Sequence, residues 1–248
     1  MLGRLQGKVC VVTCGSSGMG LATAKRFADE GARVFIIGRQ IEDLDQALFE
    51  IGGKVTALRS DPDDGADLKK LIDAVEKSAG RIDVLYLDAN MFGGALPIER
   101  RVRQCDRSLT SLVDAVRASV RLMPKGSSIV MTGSPPNDAH SPGVLEALRA
   151  AIGALAKGWA AEFRDKCIRV NVVSPKCPDH ADSGNHEALN GGHRNGRGRS
   201  GLDFALSREK PARDVANCLL FLASDESSCV TGTELFLDDF EWPRSRAS

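Results

Sequence analysis

The sequence predicts an α/β fold: a doubly wound parallel sheet of about seven strands, flanked by helices on both faces. Three observations carry this. Short apolar runs alternate with amphipathic stretches along almost the whole chain. The runs are continuously apolar, as in KVCVVT, ARVFIIG and IRVNVVSP, so both sides of each strand are expected to be covered. No linker, repeat or shift of composition divides the 248 residues, so 1–248 reads as one domain.

Taken in order, KVCVVT is a short buried strand. Leu21, Ala24, Phe27 and Ala28 then fall on one face of a helix that Gly31 ends. ARVFIIG is the second strand, residues 41–50 form a helix closed by Gly52 and Gly53, and KVTALRSD is the third strand. A helix over 65–79 stops at Gly80 and leads into the strand DVLYLDA. An amphipathic helix from Cys105 to Met123 precedes the strand SSIVMTGS. Residues 143–164 are helical, IRVNVVSP is a strand, Pro211 to Leu222 a helix, and TELFLDD the last strand. The alternation breaks once, at 176–205. Its stretch 176–201 is poor in apolar residues and rich in Gly, Asn, His and Arg. A connection of that size after a strand end predicts a substrate loop or lid. Residues 241–248 read as a tail.

Composition narrows the function classes. The 33 basic and 33 acidic side chains cancel, so no global field draws in nucleic acid or an anionic membrane surface. The N-terminus MLGRLQGKV shows no apolar signal segment, and no run is long enough to span a bilayer. The seven Cys form no CxxC pair and no ligand spacing with His, which predicts reduced thiols, no metal site and a cytoplasmic protein.

The chemistry begins at VVTCGSSGMG. Gly15, Gly18 and Gly20 lie between the first strand and the first helix. A diphosphate needs backbone N–H groups at a helix N-terminus and no side chains in its way. The glycines give that clearance, and Ser16 and Ser17 add hydroxyls. A strand, this loop and a helix form the phosphate-binding unit of a Rossmann-type domain. At the end of the second strand, where an NAD site places a carboxylate, stand Gly38, Arg39 and Gln40. A guanidinium there suits a 2′-phosphate, so the expected cofactor is NADP in preference to NAD.

TCGSSGMG resembles the T-G-x-x-x-G-x-G loop of the short-chain dehydrogenase/reductase family, with Cys14 in place of its first glycine. Cys is small, and the turn is expected to tolerate it. RSDPDD, IRVNVVSP and the C-terminal PARDVANCLLFLASDESSCVTGTELFLDD continue the resemblance over nearly the whole chain. The resemblance implies a dinucleotide held by Gly15, Ser16, Ser17, Gly18, Met19 and Gly20, with Asp61 at the adenine. It also implies Ala89 and Asn90 after the fourth strand, Arg149 at the nicotinamide ribose, and Pro175 at the end of the sixth strand.

The family's catalytic pattern is expected to fail here. Its Tyr-x-x-x-Lys aligns with Leu145 and Arg149, its Asn with Ser108, and its Ser with Ser134. The chain's single Tyr, Tyr86, lies inside a central strand, where a core position is expected. Ser134 is thus retained, Arg149 keeps a cation, and the phenol that would move the proton is missing. Asp138, His140, Lys176, Asp179 and His180 are polar-loop candidates for an acid. The plainer account of each is a solvated side chain, as it is for His193, Arg194, Arg197 and Arg199. Three readings stay open: a divergent NADP(H)-dependent reductase of a small organic substrate, a nucleotide-binding pseudoenzyme acting as a partner subunit, and a non-redox cyclase, dehydratase or isomerase. The resemblance further implies a homodimer or homotetramer. Leu109, Leu112, Val113 and Val116 would supply its face, or else cover the protein's own sheet.

Overall fold

The computed structural model describes residues 3–60, 65–88, 98–133, 142–175 and 209–237. The strands are β1 Val9–Val12, β2 Arg33–Gly38, β3 Val55–Arg59, β4 Val84–Asp88, β5 Ser128–Thr132, β6 Arg169–Pro175 and β7 Glu234–Leu237. The helices are α1 Gly18–Asp29, α2 Ile41–Ile51, α3 Gly65–Ala79, α4 Ile98–Val120, α5 Pro142–Glu162 and α6 Glu209–Ala223. All strand pairs are parallel, in the order β3-β2-β1-β4-β5-β6-β7. The order reverses between β1 and β4, and in such sheets the crevice at the carboxyl ends of those strands takes the ligand. The predicted fold class is the observed one.

Period-two alternation explains why the strands are apolar throughout. Val9 and Val11 face one core, with residues of α3, α4 and α5, while Cys10 and Val12 face the other, with residues of α1, α2 and α6. Phe27 of α1 is fully buried in the second core, a placement that contributes about 1.5–3 kcal/mol relative to exposure. Two of the polar residues in β6, Arg169 and Asn171, are satisfied by the chain after α6. The buried Arg169 guanidinium donates to the carbonyls of Leu222 and Ser224 and to Ser227 Oγ, closing the C-terminal end of α6. Asn171 donates to the Val230 carbonyl and accepts from the Thr233 N–H, which seats the turn before β7.

Helix α4 departs most from the sequence reading. Helix α4 starts at Ile98, seven residues before the expected Cys105, because Glu99, Arg100, Val102 and Arg103 are exposed there and give no burial pattern. It ends at Val120 instead of Met123. Leu122 and Met123 stay buried but lie in the turn before Pro124, whose ring disfavours helix in the preceding residue. Leu112 and Val116 belong to the first core and Leu109 and Val113 pack against it, so these four cover the protein's own sheet.

Candidate functional site

The glycine loop runs from the end of β1 into α1. Gly15 N–H donates to the Ile37 carbonyl at 2.9 Å, and a Cβ on Gly15 would lie 2.7 Å from Ile36 Cβ. A Cβ on Gly20 would collide with the Cys14 carbonyl oxygen. Only glycine lets the helix start this close to the strand. Cys14 itself takes φ +53°, the left-handed conformation that a glycine would adopt more cheaply. The turn therefore accommodates Cys14 under strain. Ser17 is the N-cap and its side chain caps no helix N–H. The first amides of α1 thus lack intrahelical partners. Met19 is buried, so it offers the crevice its backbone and not its side chain.

Thr13 binds the loop to the switch point. Its N–H and Oγ1 both donate to the Tyr86 carbonyl, and its Oγ1 accepts from the Asp88 N–H at 2.8 Å. Thr132 Oγ1 donates to Asp88 Oδ1 at 2.8 Å from the other side. The carboxyl ends of β1, β4 and β5 are thereby held as one unit. Tyr86 is fully buried, and its hydroxyl lies 3.5 Å from Thr132 Oγ1. Burial, and then the Asp88 charge, push the phenol well above its ordinary value, so it holds its proton in the core.

At the adenosine end, β2 closes on the buried Gly38, followed by an exposed Arg39. Ser60 N–H donates to the Gly38 carbonyl, fixing the chain just before Asp61. Arg59 closes β3, is exposed, and its Nε donates to the Arg39 carbonyl at 3.3 Å.

At the other end, Arg149 occupies α5 and Leu145 stands in that helix's first turn. The guanidinium is bound twice. Nη1 donates to Glu234 Oε1 at 3.1 Å, and Nε donates to Glu146 Oε2 at 3.0 Å, with Nη2 on the second Glu146 oxygen. It also lies 5.3 Å from the ring centre of the exposed Phe236. Ser174 Oγ donates to the same Glu234 oxygen at 2.7 Å. The hydrogen bond to Glu146, and then the Glu234 charge, drive the Arg149 pKa up, while Arg149 lowers that of Glu146. Pro175 ends β6 and is buried; Ser108 is buried in α4. Ser134, Asp61, Ala89 and Asn90 lie outside the described residues, as do Asp138, His140 and the 176–205 segment.

The structure therefore brings Gly15 to Gly20, Arg39, Arg149 and Pro175 to the carboxyl edge of one sheet. Sequence reasoning missed Arg59 and the two carboxylates on Arg149. A signal for Glu146 existed in its spacing of three from Arg149 on a helix. The signal for Glu234 was a lone carboxylate inside the apolar run TELFLDD.

The fold and this loop define a dinucleotide-binding α/β domain. Comparison with known proteins makes that specific. Residues 14–239 match the family model described as enoyl-(acyl carrier protein) reductase. An oxidoreductase of Sarocladium schorii, asL5, is 36% identical over 95% of this chain and 96% of its own. The 3-oxoacyl-(acyl-carrier-protein) reductase FabG of Thermotoga maritima is 34% identical over 95% and 98%. A crystal structure of a short-chain dehydrogenase of Burkholderia cenocepacia in complex with NADP superposes with a TM-score of 0.75, at 29% identity over 95% and 98% of the two chains. The chain belongs to the short-chain dehydrogenase/reductase family, a family of oxidoreductases. No helix among the described residues is long and apolar enough to cross a membrane, and no group of His, Cys, Asp and Glu among them is placed to hold a metal.

Proposed function

We propose that the chain is an NADP(H)-dependent reductase of a small organic substrate that works without the family's Tyr and Lys. The observation that carries the cofactor choice is Arg39. It is exposed at the end of β2, where an NAD site needs a carboxylate, and no acidic side chain pairs with it among the described residues. The NADP bound by the Burkholderia relative supports the same reading. The residues present also fit the group, since Gly15 and Gly20 let the chain pass tightly from β1 into α1 and bring the helix N-terminus, whose N–H groups suit a diphosphate, against the strand ends.

In this reading the loop from Gly15 to Gly20 holds the diphosphate, Ser16 and Arg39 the 2′-phosphate, Asp61 the adenine, and Ala89, Asn90 and Pro175 the remaining length. The cofactor supplies a hydride when bound. Arg149 fixes the nicotinamide ribose while sharing its guanidinium with Glu234. Ser134 orients and polarises the acceptor, supported by Ser108. With Leu145 at the Tyr position and Tyr86 locked in the core, no phenol serves as the acid. The substrate is then one that needs little protonation at the moment of transfer, such as an activated C=C or an iminium. We take the protein to act as a homo-oligomer through α4, α5 and β7, whose Phe236 is exposed on an edge strand.

The pairing of Arg149 with two carboxylates favours a second reading, a subunit that binds nucleotide without turnover. Calorimetric titration with NADPH and NADH, followed by NADPH consumption across a panel of conjugated enones, imines and ketones, separates the two. Preferential NADPH binding with turnover on an enone or imine is the expected result. Binding without any turnover selects the second reading, and failure to bind either nucleotide removes both.

A further inference from the structure

We propose that Arg59, on β3, is a second reader of the cofactor's 2′-phosphate and closes a site with Arg39 and Ser16. The inference rests on the NADP reading above and adds a residue to it. Residues 38 and 59 are direct partners in the parallel ladder between β2 and β3, so their side-chain directions coincide. A side chain on Gly38 would point at Ser16 Oγ, 2.9 Å from an ideal Cβ, and at Leu44. Alternation along β3 agrees: Val55 and Ala57 pack into the core beneath α1 and α2, whereas Leu58 packs into the opposite one. Arg59 therefore projects on the side of the sheet that carries Ser16 and the start of α1.

Its guanidinium is also oriented. Nε is taken by the Arg39 carbonyl at 3.3 Å, and this leaves the terminal nitrogens without a protein partner among the described residues. A fork tethered at Nε and open at its tip suits a phosphate monoester, which accepts from both terminal nitrogens. Arg39 is likewise exposed and unpaired among the described residues, and the exposed Glu42 in the first turn of α2 forms no bond to either arginine. Two like charges at neighbouring strand ends, with no acid paired to either among the described residues, repel, and a dianion seated between them removes that cost. The hydroxyl of Ser16 adds a third donor from the loop. NADH has no group to place there, so Arg59 acts on the choice between the two nucleotides and not on their shared parts.

The test is calorimetric titration of the full chain and its Arg59→Gln and Arg59→Lys variants with NADPH and NADH, alongside thermal unfolding. Arg59→Gln is expected to weaken NADPH binding roughly tenfold and to change NADH binding by less than about twofold. Arg59→Lys is expected to fall between, since a point charge keeps attraction but loses the fork. If the parent prefers NADPH but both variants keep the same NADPH-to-NADH ratio, the Arg59 assignment fails and the NADP reading stands. If the parent shows no preference for NADPH, that reading fails and takes the assignment with it.

Discussion

The two ends of the sheet treat their arginines in opposite ways. At the β2–β3 end, Arg39 and Arg59 are exposed, Arg59 Nε donates to the Arg39 carbonyl, and no carboxylate pairs with either among the described residues. At the β6–β7 end, Arg149 is half-buried, bound to Glu146 and Glu234, and covered by Phe236. A cation without a counterion attracts an incoming anion, whereas a cation with two is already neutralised and holds its own elements together. On the proposed reading the first end selects a ligand, whereas the second ties α5 to the edge strand. In that reading the chain keeps its cofactor-binding end open, while the cation on α5 also serves to hold the edge strand.

The largest expected effect breaks the binding end. Gly20→Val forces a side chain into the Cys14 carbonyl, so the loop and the start of α1 must separate. A loss of about 3 kcal/mol or more is expected, read from the urea midpoint, with loss of binding of both nucleotides. Retained binding would mean that the loop does not form the cradle.

Arg149→Met tests the other end. Removing the guanidinium strands Glu234, which also receives Ser174, and a loss of about 1–2 kcal/mol is expected. Because its proposed nucleotide contact is to a ribose that both cofactors carry, NADPH and NADH affinities should fall by the same factor. An unchanged affinity with lowered stability would make Arg149 a clamp alone and sharpen the contrast between the two ends.

The smallest effect concerns Cys14. Its φ of +53° is a strain that glycine does not feel, offset in part by the greater freedom of glycine in the unfolded chain. Cys14→Gly is expected to gain about 0.5–1 kcal/mol, seen as a thermal midpoint raised by roughly 2 °C. A loss would show that the Cys14 side chain contributes packing that outweighs its backbone.

Much of this molecule was legible in advance, for identifiable reasons. Continuous apolar runs such as KVCVVT and IRVNVVSP specified buried parallel strands, because only residues covered on both faces can all be apolar. The glycines of TCGSSGMG specified the loop, because backbone clearance is a local property of residue type. Tyr86 was placed in the core by the strand around it, and it is fully buried. The start of α4 was not legible: its first turns are exposed, and periodicity reports burial and not helix itself.

The amino-acid order by itself determined the fold class, the strand–loop–helix unit and the absence of a carboxylate at Gly38, Arg39 and Gln40. These follow from local composition and period. Tertiary structure alone decided which charges meet. Arg149 and Glu234 are 85 positions apart, and Arg39 and Arg59 are 20 apart. Each pair is brought together by the register of parallel strands or by a helix crossing an edge, and electrostatic energy depends on that distance in space and not on separation along the chain.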